Sequence, residues 1–461
     1  MSQTPSATPP TPPNPPTPPP FDPAAEHHRR PKVRSVRGIP VEGQTSDGKK
    51  VQMLGLADAH QVSDQMVITA PASRFILPKM DGTRDIDQII AEIGQGLARP
   101  FVEQLVTQLD AAGLIEGPTF QAMLTKMRSE FDASPTLPPA ATAAFVDGLM
   151  AQALGANATD EQRAEAAPQK LRELFDQYIK AALEKAENPS FDTLPKAIVA
   201  PHLDYPRGWQ NYASVYGRLR VVDRPARVVI LGTNHFGQST GVCGCDKGFQ
   251  TVLGTSPADE QMIAALRGRL GEALFENRFD HEREHSIELH IPWIQHVFGV
   301  GEGGGSHVPV FGVLIHDPSV NNGESYDGSG VGLNQFVAAL KEAIAQLPGP
   351  TLVISSVDLS HVGPGFGDQV QLLGDEAKTV EFRNGVLNHD REMLNLIISR
   401  KPAELVAAMA WQQNPTRWCS TGALVATLLA IDPAEVQLLS YNAAIDQQGT
   451  SMVSSVAMAM R

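Results

Sequence analysis

Ala197-Ile198-Val199-Ala200-Pro201-His202, Val228-Val229-Ile230-Leu231-Gly232-Thr233-Asn234-His235 and Leu352-Val353-Ile354-Ser355-Ser356-Val357-Asp358-Leu359-Ser360-His361 are three short apolar runs, each ending on a histidine. Short β-branched runs bounded by Gly, Pro or Asn read as strands buried on both faces, as in a parallel sheet covered by helices. Ligands of open α/β sheets bind in the crevice beyond the carboxyl ends of the strands. One imidazole there would read as a satisfied loop or core residue. Three at equivalent positions point to a metal site, because buried polar groups need partners.

Further strand patterns at 309–315 and 436–441, and a last one at 450–458, alternate with helical patterns. Residues 191–461 therefore read as an α/β domain, a mostly parallel sheet flanked by helices. Residues 118–190 read as a helical connector, with Leu171, Leu174, Phe175, Tyr178, Ile179 and Leu183 at helical spacing. Residues 33–117 hold strand-like pieces at 50–54 and 65–68. Two helices follow, one marked by Ile86, Ile89, Ile90 and Ile93, the other by Phe101, Leu105, Leu109 and Leu114. Residues 1–32 are Pro/Thr-rich with little to bury, the composition of a disordered, polyproline-like tail.

A chain of 461 residues suits two or three domains. Its three cysteines argue for a reducing compartment, and no signal peptide or membrane-length apolar run is visible, so a cytoplasmic protein with no membrane role is expected. A formal charge of −14 with no basic stripe argues against nucleic acid as a partner.

Pro201-His202-Leu203-Asp204-Tyr205, Leu231-Gly232-Thr233-Asn234-His235, Glu284-His285-Ser286-Ile287-Glu288-Leu289-His290-Ile291-Pro292, Ser356-Val357-Asp358-Leu359-Ser360-His361-Val362-Gly363 and Trp418-Cys419-Ser420-Thr421-Gly422 resemble the Memo family in order and spacing. Bacterial proteins similar to this one are called AmmeMemoRadiSam system protein B, which implies a radical SAM partner protein. The Memo fold is itself similar to class III extradiol dioxygenases. The resemblance implies metal ligands at His202, His235 and Cys419, with Asp358 and His361 lining the same cleft. Two imidazoles and a thiolate suit iron, copper or zinc. Iron(II) is the first expectation, and copper or zinc follow. His361 would be the catalytic acid/base, with Asp358 orienting it or the metal-bound water. Tyr205 and Asn234 are expected to face a small molecule or peptide in the cleft, aromatic packing being the other reading of Tyr205, and His285 to contact that molecule or the metal. The function expected is that of a metal-dependent redox or oxygen-using enzyme, a dioxygenase-like oxidoreductase. The alternatives are a non-catalytic peptide- or partner-binding module using the same cleft, and a zinc-dependent hydrolase. Further upstream, Asp81-Gly82-Thr83, an amphipathic helix and the closing Ala112-Gly113-Leu114-Ile115-Glu116 resemble the small winged-helix PqqD-like module, which implies peptide binding.

His281-Glu282-Arg283-Glu284-His285 also fits the helical zinc-protease motif H-E-x-x-H. Charged residues fill its interior and no third ligand follows at the usual distance, so that reading is set aside. Glu284 and Glu288 read as caps or braces of a helix. Cys243-Gly244-Cys245 precedes Asp246-Lys247-Gly248, and reads as the flank of a hairpin turn. His290, His296, His307, His316 and His389 read as surface or packing residues.

Overall fold

The computed structural model describes residues 20–44, 50–94, 96–155, 157–301 and 303–461. The expected tail lies outside the described residues up to residue 19. Within residues 20–32, Glu26–Arg29 forms a helical turn and Lys32 bridges to Asp81. The chain divides into two compact units, Met1–Glu130 and Phe131–Arg461.

The first unit is built on a three-stranded antiparallel sheet in the order Val36–Gln44, Lys50–Asp58, Met66–Thr69. The first of these strands escaped the sequence reading because it carries Gly38, Pro40 and Gly43. Proline is tolerated there because the strand is at the sheet edge, where its missing N–H costs no ladder bond. Both helices form where the apolar spacing places them. Ile86–Ile93 starts on a reciprocal Asp85–Gln88 capping box, and Arg99–Ala111 buries Val102, Leu105, Val106 and Leu109. A small sheet packed with helices is therefore present.

The second unit centres on an eight-stranded mixed sheet. Its path runs Asp358–Val362, Met452–Met460, Ala197–Ala200, Thr351–Ser356, Arg227–Thr233, Val310–Ile315, Cys243–Cys245, and Val436–Ile445 pairs outside Met452–Met460. Ala197–Ala200, Thr351–Ser356, Arg227–Thr233 and Val310–Ile315 run parallel, and the flanking strands are antiparallel. The parallel strands are apolar through their middles because both faces are covered. Val229 and Leu231 enter one core layer, Val228 and Ile230 the other, and Val199/Ile198 and Val353/Ile354 divide likewise. Each such side chain contributes roughly 1.5–3 kcal/mol on burial. Asp246-Lys247-Gly248 does not close the expected hairpin. Cys243–Cys245 pairs with Val310–Ile315, whereas Gly248–Thr251 joins a separate small sheet.

The connector is helical, with Ala141–Leu154 followed by Asp160–Leu183. The second helix buries Leu171, Phe175 and Ile179, and Phe175 stacks on Trp293 at 3.8 Å. The connector thus packs into the core of the α/β unit.

Candidate metal centre

All four parallel strands end on a chemically useful side chain. His202 follows Ala197–Ala200, His235 follows Arg227–Thr233, and Asp358 follows Thr351–Ser356. His316 follows Val310–Ile315, but its Nε2 is committed to the Gly323 carbonyl at 3.3 Å.

His202, His235 and His285 each offer a ring nitrogen, and these atoms lie within 4.8 Å of one another. The Cys419 sulfur is 3.3 Å from His202 Nε2. His285 therefore stands among the imidazoles, closer to the expected ligands than a substrate contact requires. Its helix, His285–Glu288, starts on Glu284, whose carboxylate accepts the Ser286 N–H at 2.9 Å. Gly232 lets this helix approach the strand, since a Cβ there would sit 2.6 Å from Ser286 Oγ. Cys419 is delivered just before helix Thr421–Ile431, where a side chain at Gly422 would collide with the His316 carbonyl.

The outer nitrogens of the rings are spoken for. Ser356 Oγ donates its only proton to the Ser286 carbonyl, so at 2.9 Å it must accept from His202 Nδ1. His235 Nδ1 lies 2.9 Å from Glu284 Oε1, an acceptor-only group when ionised. The inner nitrogens, Nε2 in both rings, consequently face the cluster. Burial opposes protonation of His235, but the Glu284 carboxylate and Cys419 outweigh it and hold the imidazole well above its usual value. Glu284 is lowered to about 2, its burial outweighed by His235 and His285. His202 is pushed well below its usual value by burial and by the neighbouring imidazoles.

Asp358 and His361 are three residues apart, so in a regular strand they would face opposite sides. A bulge intervenes. Asp358 pairs with Ser455 and His361 with Val453, two positions apart, which restores both to one face. Of the two partners expected for Asp358, His361 is not the one it meets. Its carboxylate accepts the His202 N–H at 3.2 Å and stands 3.7 Å from His202 Nε2. His361 is held instead by its Nδ1, which donates to the carbonyls of Leu359 and Arg417 at 2.9 and 3.2 Å. Burial raises Asp358 to about 7 and lowers His361 to about 4.

Tyr205 and Asn234 turn away from the cleft roles expected of them. Tyr205 is buried among Phe145, Phe175, Tyr212 and Trp293, with its hydroxyl on the Leu289 carbonyl at 2.7 Å. Asn234 braces its own loop through Gly237 N and Asp280, both at 2.8 Å. His281 also stands apart. Its Nε2 lies 3.1 Å from the Cys243 carbonyl, and it sits in the turn Arg278–His281, so no helix presents His281 and His285 together. Glu288 braces the connector by accepting the N–H groups of Ala140, Ala141 and Thr142, all within 3.0 Å. Ser356 was missed in the sequence. The signal was two serines, Ser355 and Ser356, closing an apolar strand where buried hydroxyls need partners.

A family model for Memo-like proteins matches residues 163–460. The chain belongs to the Memo family. The match starts inside helix Asp160–Leu183, so the family domain takes in part of the connector that the sequence reading had kept apart. A MEMO1 family protein of Thermotoga maritima is 28% identical over 56% of this chain and 79% of its own length. One from Aquifex aeolicus is 24% identical over 77% of this chain and 80% of its own. One from Methanopyrus kandleri is 26% identical over 61% and 89%. Among the described residues no helix is long and apolar enough to cross a membrane.

Proposed function

We propose that the protein is a metal-dependent redox or oxygen-using enzyme acting on a small molecule or peptide. His202, His235, His285 and Cys419 would hold its cation, iron(II) first and copper second. The observation that carries this reading is the wiring of the imidazoles. His202 and His235 have Nδ1 committed to Ser356 and Glu284, so both Nε2 ends converge near the Cys419 sulfur. Metal-binding histidines characteristically have the second nitrogen held in this way, which sets the tautomer and the ring angle. Imidazoles with a thiolate suit iron, copper or zinc and disfavour calcium or magnesium.

A cation bound here would supply Lewis acidity and, if iron or copper, one-electron chemistry. The chain supplies the proton handling. His361 keeps its proton on Nδ1, leaving Nε2 as a neutral acceptor. Asp358, near neutrality at about 7, exchanges a proton at its carboxyl oxygen beside His202. Two titratable groups pushed in opposite directions by burial are the pattern of an acid and a base sharing a site.

Elemental analysis with electron paramagnetic resonance, on protein purified without oxygen, tests the reading against His202→Ala and Cys419→Ala. Near-stoichiometric iron or copper, lost in both variants, is expected. Zinc alone would turn the reading to hydrolysis. No metal under reducing conditions would overturn it and leave a peptide- or partner-binding cleft.

A further inference from the structure

Asp390 lies on helix Ala377–Ile398, wholly buried, and no cation pairs with it among the described ion pairs. Its two carboxyl oxygens accept four hydrogen bonds. Oδ1 takes Ser360 Oγ at 2.5 Å and the Trp418 indole N–H at 2.8 Å. Oδ2 takes Ser454 Oγ at 2.5 Å and the Tyr441 hydroxyl at 2.6 Å. A carboxylate is costly to bury, and its retention is most informative where its donors lead. Ser360 immediately precedes His361, and Trp418 immediately precedes Cys419.

The loop that delivers Cys419 needs holding. Gln413, Asn414 and Arg417 take positive φ values of 56°, 46° and 60°, a region that side chains other than glycine enter at a cost. Cross-ties fix it. Asn414 binds both backbone polar groups of Trp418 at 2.7 Å, the His361 N–H donates to the Thr416 carbonyl at 2.8 Å, and Arg417 Nε donates to the His361 carbonyl at 2.7 Å. Asp390, on a helix outside this loop and strand, grips both through Trp418 and Ser360.

We infer that Asp390 is a positioning residue that holds Cys419 and His361 in register across the cleft, without touching either. The inference rests on the proposed metal site for its first readout and stands apart from it in the second.

The first readout is titration of the metal-free full chain with cobalt(II), following affinity and the sulfur-to-cobalt absorption band. Trp418→Phe removes the indole N–H that Asp390 Oδ1 and Ser360 Oγ share at 2.8 and 3.2 Å on the cleft side, and Tyr441→Phe removes the one hydroxyl donor to Asp390 on the far side. Trp418→Phe is expected to weaken cobalt binding about 10- to 100-fold, the usual effect of removing an outer support of a metal site, and to dim the band. Tyr441→Phe should move neither. Asp390→Asn should follow Trp418→Phe where it folds. The second readout is the alkylation rate of Cys419 without metal, which is read cleanly because Cys243 and Cys245 are buried and burial pushes Cys245 up to about 12. That rate should rise in Trp418→Phe and stay level in Tyr441→Phe. Equal shifts in the two variants, or none in either, would reduce Asp390 to a core fastener and overturn the inference. Failure of the wild type to bind cobalt would overturn the metal reading, and the alkylation rates would still decide the role of Asp390.

Discussion

Two clusters in this chain bring imidazoles to a carboxylate, and they are wired in opposite senses. In the first unit, ligand atoms of His27, His28 and Asp110 lie within 4.8 Å of one another, as do those of His202, His235 and His285 in the cleft. There, however, His28 Nδ1 accepts the Asp22 N–H at 3.0 Å. The neutral ring must then carry its proton on Nε2, pointing at Asp110 Oδ2 3.2 Å away. A cation taking that nitrogen would force the proton onto Nδ1, against the Asp22 N–H. In the cleft the outer nitrogens donate to Ser356 and Glu284, and the inner ones are turned toward the cluster. Proximity alone does not separate a metal site from a structural network. The nitrogen already committed to a second partner does.

The largest expected effect breaks the comparison outright if it fails. His235→Ala should abolish stoichiometric metal in the purified protein, whereas His27→Ala should leave metal content unchanged. Equal losses would mean that the wiring carries no information. A smaller effect sharpens the point. Ser356→Ala deletes the acceptor that sets the His202 tautomer, along with the hydrogen bond to the Ser286 carbonyl, and should cost about 10- to 100-fold in metal affinity by competition with a chelating dye. Wild-type affinity in that variant would show that His202 needs no second partner. On the other side, Asp110→Ala should lower stability by about 1–3 kcal/mol, since it strands buried donors, while metal stoichiometry stays at the wild-type level.

The alternating core was legible because parallel strands buried on both faces leave continuous apolar runs. Ala197–Ala200 forms where its residues predict, and His202, His235 and Cys419 come together as the family motifs imply. What escaped was set by contacts between distant segments. No local pattern shows that Tyr205, five residues beyond a strand and three beyond His202, turns into an aromatic core, or that Glu288 caps a helix begun nearly 150 residues earlier. The bulge between Asp358 and His361 depends on the register against Met452–Met460, which the apolar pattern of either strand does not specify. Asp390 was invisible for the same reason, its four donors coming from four other segments of the chain.

A last and smaller effect gives the cleft unit a signature that the metal does not share. His290 is fully buried against Tyr212 and Tyr216, and its Nδ1 meets the Tyr216 hydroxyl at 2.8 Å. Burial lowers it to about 3, from an ordinary 6.5. Between those values the unfolded chain binds a proton that the folded chain refuses. Stability from this group is therefore fully present above pH 6.5 and is lost as the pH falls toward 3, by roughly 1.4 kcal/mol per pH unit. In urea unfolding of the metal-free protein between pH 4 and 7, buried His202 and His361 add slopes of the same sign, and His290→Asn should flatten the total by about this amount. Parallel slopes in the two proteins would mean that His290 takes up its proton while folded. The acid sensitivity would then belong elsewhere, and the contrast between the two units would rest on metal alone.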